Sequence, residues 1–84
     1  MTQLVFAIWD GAAGAYSQPF FAVKNEVALR MFNSACSDKA SNLFKYPEQF
    51  TLFRLGSFDD NLGTFENEKA PVPLAGAKEF KKDE

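Results

Sequence analysis

The apolar positions of this chain change period along its length, and each change marks an element. Residues 3–9 are an apolar, β-prone run too short for a buried helix and closed by Asp10-Gly11, which predicts a strand in the interior of a sheet. Residues 11–16 supply a turn, and Gln18-Pro19-Phe20-Phe21-Ala22-Val23-Lys24 reads as a second strand, with Pro19 at its start, where a missing N–H is tolerated. The two strands are expected to pair as an antiparallel hairpin. From Asn25 the period becomes helical. Asn25 is a good N-cap, Glu26 lies beside the positive helix end, and Val27, Ala28, Met31, Phe32, Ala35 and Cys36 form one stripe opposite Arg30, Asn33, Ser34 and Ser37. This spacing predicts an amphipathic helix that packs on the sheet and ends near Asp38 or Lys39. Residues 42–48 read as a loop anchored by Leu43, Phe44 and Tyr46, because Pro47 disfavours helix through Tyr46.

Residues 50–58, rich in aromatics, form the third expected strand, bounded by Asp59-Asp60-Asn61-Leu62-Gly63. Thr64-Phe65-Glu66 has the length for a short returning fourth strand. The expected fold class is therefore α+β: a small antiparallel sheet of three to four strands with one amphipathic helix on one face, in β-β-α-β-β order. The domain is expected to span residues 1–66. From Asn67 the composition shifts to Pro, Ala and charge, so residues 67–84 read as a tail: an extended linker around Pro71 and Pro73, one or two helical turns over 74–80, and a frayed end over 81–84.

Composition narrows the chemistry. Eighty-four residues without any His and with one Cys leave neither a disulfide nor a zinc site to staple the fold, so the core must carry it alone. Cys36, set among apolar helix positions, reads as a small buried hydrophobe and fits a reducing compartment. The apolar start is too short and lacks the preceding Lys or Arg of a signal peptide, and no run approaches the ~18 apolar residues of a membrane span. No membrane association is expected. The net charge of −2 argues against coating nucleic acid through bulk positive charge. Residues 1–58 carry five cations against four acids, and residues 59–84 four against seven, so a weakly basic body precedes an acidic end.

Neutral-pH acid–base catalysis usually recruits His, and nucleophilic Ser or Cys needs a base beside it, so no catalytic residue is assigned. Asp59-Asp60 reads as a solvated turn. The Asp59, Asn61, Gly63 spacing misses a calcium loop, with its Gly one position early and Ala70 where the closing Glu belongs. No metal or cofactor is expected. What remains is an aromatic excess on strands: ten Phe, two Tyr and Trp9. A sheet covered on one side by one helix leaves its other face open, and alternation assigns some of Trp9, Phe20, Phe53 and Phe58 to that face. Two readings stay open. These aromatics belong to the core or to a dimer interface, or some of them stack on bases of single-stranded nucleic acid beside Lys24, Lys45 and Arg54.

Gln18-Pro19-Phe20-Phe21-Ala22, the helix segment Ala28-Leu29-Arg30-Met31-Phe32, the loop Lys45-Tyr46-Pro47-Glu48-Gln49-Phe50-Thr51-Leu52 and then Leu55-Gly56-Ser57-Phe58-Asp59-Asp60-Asn61 carry a resemblance. Over about residues 3–66 the chain resembles the small nonstructural, DNA-binding protein of gokushoviruses, Microviridae phages with circular single-stranded DNA. The resemblance implies a protein made in the cytoplasm of the infected bacterium and acting in genome replication and packaging, through single-stranded DNA or through viral or host replication and packaging proteins. The nucleic-acid site expected on this reading is Lys24, Lys45 and Arg54 with Phe20 and Phe53. The alternative is a protein-interaction module, homodimeric or with another partner, that makes no DNA contact.

Overall fold

A computed structural model of the chain describes residues 1–80. The fold class is as expected: one antiparallel sheet with one main helix on one face. Strand β1 (Thr2–Asp10) is central and pairs on one side with β2 (Ala15–Tyr16) and β3 (Phe20–Ala22), on the other with β4 (Phe50–Asp59), which pairs in turn with β5 (Thr64–Gly76). Between β3 and β4 run helix α1 (Asn25–Ser37), the single turn α2 (Asn42–Lys45) and a 3-10 turn at Pro47–Gln49. A second 3-10 turn, Ala77–Phe80, follows β5.

The expected second strand is split, and Pro19 explains why. The pairings Trp9↔Tyr16 and Phe6↔Phe20 differ in register by one residue, so a bulge lies between them. Ser17 holds it: its Oγ accepts the Ile8 N–H at 2.9 Å and its own N–H donates to the Ile8 carbonyl at 2.8 Å. Pro19, with no N–H to pair, fits such an interruption. The turns after β1 and β4 share one construction. Asp10 Oδ1 accepts from the N–H groups of Ala12 and Ala13, and Asp59 Oδ1 accepts from those of Asn61 and Leu62. Each turn closes on a glycine at positive φ, Gly14 at 68° and Gly63 at 71°. Asp59 is thus a turn-forming acceptor, as the solvated-turn reading has it.

The largest departure from expectation lies after Asn67. Residues 67–76 are not a linker outside the domain but the second half of β5, paired to β4 through Arg54↔Val72, Phe53↔Pro73 and Leu52↔Ala75. Pro and charge mask a strand here because β5 is an edge. It has one neighbour only, so a missing N–H and a local bulge are tolerated. Between Gly56↔Asn67 and Arg54↔Val72, residues 68–71 bow out opposite Leu55. The end expected to form a turn or two of helix is the second 3-10 turn, and it is docked: Ala77 is fully buried and Phe80 meets Phe32 edge-on at 5.8 Å. Phe80→Ala is therefore expected to cost about 2 kcal/mol, below the value for a fully buried Phe, and to lower the melting temperature by about 10 °C. An unchanged melt would show that this turn does not contribute to the core. The expectation of a frayed end over 81–84 lies outside the described residues.

The helix starts one residue earlier than its cap was placed. Lys24 holds the N-cap position without a side-chain bond, and Asn25 is the first helical residue, its Oδ1 engaged by Arg54 instead. The buried stripe is Ala28, Phe32 and Cys36, flanked by Val27 and Leu29, whereas Met31 stays 48% exposed. The stripe is narrower than the sequence pattern suggests because one helix lying over a four-strand width buries only the residues directly beneath it. Ser41 closes the helix end, donating to the Ala35 carbonyl at 2.6 Å and accepting from Phe44 N–H at 3.2 Å to cap α2. Phe6, Leu52, Ala22 and Ala75 meet the stripe from the sheet. Burial pushes the Cys36 thiol up to about 11, as for an inert core thiol.

Candidate functional site

Strand register sorts the aromatic residues between the two faces of the sheet. Leu4, Phe6 and Ile8 of β1 point to the helix, so Gln3, Val5, Ala7 and Trp9 point away. Cross-strand pairing carries that assignment outward. Tyr16 stands opposite Trp9, Phe21 opposite Val5, Phe53 opposite Ala7, Phe58 opposite Gln3, and Phe65 opposite Phe58. All point away from the helix.

The rings form two contiguous groups. Trp9 and Tyr16 lie 4.9 Å apart between centroids, and Tyr16 meets Phe53 edge-on at 5.6 Å. At the other end Phe58 lies 4.8 Å from Phe65 and 5.8 Å from Phe21. Such offset and edge-to-face pairs are the favoured aromatic geometries and add to stability beyond the area buried. Although Val5 and Ala7 point away from the helix, they are 6% and 0% exposed, shaded by the rings around them. The rings themselves form the outer layer: Tyr16, Phe21 and Phe65 are 41%, 42% and 59% exposed. Among the paired strand positions that point to this side, none is charged: Gln3, Thr51 and Asn67 are the polar ones.

The residues expected to form a nucleic-acid site are not brought together. Phe53 alone lies on the uncovered face. Phe20 points to the helix, stacks on Phe6 at 5.8 Å and belongs to the core, because neighbouring Phe20 and Phe21 must take opposite faces and the Phe6↔Phe20 register decides which. Arg54 also points to the helix side. Its Nε donates to Glu68 Oε2 at 2.9 Å and its Nη1 to Asn25 Oδ1 at 3.3 Å, so it ties the start of α1 to the bulge of β5. A guanidinium in an otherwise apolar strand is explained by that clamp, with its stem over the core rim. Lys24 at the helix N-cap and Lys45 in α2 are exposed on the helical layer, away from the aromatic face. Tyr16, read as a turn residue, Phe21 and Phe65 are the members the sequence reading missed. Only pairing register could place them.

Among the described residues no group of three or more His, Cys, Asp and Glu is placed to hold a metal ion, and no helix is long and apolar enough to cross a membrane. One depression of about 250 Å³ is lined by Thr2, Ser57 and Asp59 and by Leu62, Thr64, Phe65 and Glu66. The fold and the site together define a small two-layer α+β domain whose broad surface feature is an aromatic sheet face with no charge at its paired positions. The family model described as Phage ORF5 protein matches residues 3–80, and the chain belongs to that family of phage proteins. Neither the curated proteins nor the solved structures contain a match.

Proposed function

We propose that this phage protein is a non-enzymatic binding protein whose working surface is the aromatic face, and that the face takes an apolar protein surface rather than nucleic acid. The single observation that carries this reading is the absence of charge from the paired strand positions of a face holding six aromatic side chains. Interface cores are depleted of charged residues and enriched in aromatics, whereas single-stranded nucleic acid is bound by aromatics interleaved with cations that neutralise phosphates. The cation nearest in sequence to Phe53, Arg54, is committed on the opposite side to Glu68. The gokushovirus resemblance supplies the biological setting: a nonstructural protein in the cytoplasm of the infected bacterium, acting in genome replication and packaging as part of a protein complex.

Direct contact with single-stranded DNA is the second reading. It is favoured by the six rings on one face, since each offers a stacking surface to any base. A titration of a fluorescein-labelled oligothymidine separates the two. Binding is expected to be weak or absent at about 0.15 M salt, and Arg54→Gln is expected to leave it unchanged. Micromolar or tighter binding that weakens steeply with salt, with a slope made shallower by Arg54→Gln, would restore the DNA reading.

A further inference from the structure

We infer that the surface covering the aromatic face is the same face of a second copy of this chain, giving a two-fold dimer of two sheets packed face to face with the helices outside. The inference rests on the protein-binding reading proposed above and names its partner. Size is the first argument. With strands about 4.8 Å apart and about 3.3 Å per residue, a face four strands wide along the nine residues of β1 covers roughly 600 Å². That footprint lies at the low end of the roughly 600–1,000 Å² per partner of a standard interface.

Charge is the second. The chain carries a net charge of −2, so most ways of joining two copies bring like charges together, but this face has none among its paired positions and can meet itself without that cost. The third argument is the thinness of the core. Phe6, Phe32 and Leu52 are the largest fully buried side chains, and all belong to the helix-side core. On the other side, the shaded Val5 and Ala7 under a half-exposed ring layer have the composition of an interior cut through its middle, which is the character of obligate homodimer interfaces. A cover needed by every molecule must be present wherever the chain is made, and a second copy always is. The self-association is isologous, so it closes at two and does not propagate.

The test combines mass and fluorescence. At about 100 µM, where a micromolar dimer is almost fully formed, light scattering is expected to give twice the 9.4 kDa chain mass. Trp9, the only Trp, lies in the interface, so its emission is expected to shift to the red on dilution. Phe21→Glu/Phe65→Glu places two like charges per copy in the contact and is expected to give a folded monomer. Phe65→Ser, at a site already 59% exposed, weakens the dimer without introducing charge, should the double variant fail to fold. A dimer that persists in both variants with unshifted Trp9 emission overturns the inference and points to edge pairing. A monomeric wild type also overturns it. If that monomer ignores oligothymidine, the protein-binding reading still stands with a different partner. If it binds oligothymidine and loses binding in the double variant, that reading falls as well.

Discussion

Gly56→Ala is expected to abolish or severely weaken folding. Gly56 sits beside the bulge in both β4 and β5, and a Cβ built there collides with the Glu66 carbonyl oxygen and meets Asn67 Cα at 3.0 Å. Both obstacles are backbone, so no side-chain rotation relieves them. Gly56 does not have positive φ, unlike Gly14 and Gly63, so the requirement is for space and not for conformation. Overpacking of this kind costs about 3 kcal/mol or more, from a total of roughly 4–13 kcal/mol for a domain of this size. The melting temperature is expected to fall by more than about 12 °C, or the protein to be insoluble. A melt within about 2 °C of wild type would mean that β5 does not approach β4 as described.

Phe32→Ala is expected to have a comparable effect by the opposite route. Phe32 is 1% exposed at the middle of the helix stripe, in one cluster with Phe6 and Leu52 and edge-on to Phe80. Removing a buried Phe ring costs about 3–5 kcal/mol through lost transfer energy and the cavity left behind. The cavity collapses poorly here because three separate elements, β1, β4 and the last 3-10 turn, meet at that ring. Loss of the cooperative thermal transition in circular dichroism, or a fall of roughly 15 °C or more, is the expected result. A stable variant would place the helix stripe outside the core.

The two variants probe different origins of the same fold. Phe32 is legible in sequence, since a helical stripe repeats every three to four residues and its centre can be named without coordinates. The importance of Gly56 is not. In sequence it is one glycine in an aromatic strand; the contact that makes it irreplaceable comes from residues ten and eleven positions later, across a hairpin and beside a bulge. The candidate site divides in the same way. Alternation by itself puts Trp9 on the face opposite Phe6 and Ile8, because period two is a property of any strand, but Phe53 and Phe58, five residues apart, share that face only because Leu55 is bulged between them. Phe20 and Arg54 were expected beside them and lie on the other side, since a bulge and a pairing register, both non-local, decide the side for Phe20 and a helix-layer clamp holds Arg54.

Local physical chemistry in the sequence determined the α+β class, the existence of the helix and of the strands at residues 2–10 and 50–59, and the two Asp-to-Gly turns. Each depends on contacts within one element or one turn. Tertiary structure alone decided that residues 67–76 are strand and not tail, that Phe80 belongs to the core, and that six aromatic rings share one face without charge at its paired positions. Those outcomes depend on which edges are free, where bulges shift register and what lies across the sheet, and none of these is encoded in the spacing of residues along a single segment.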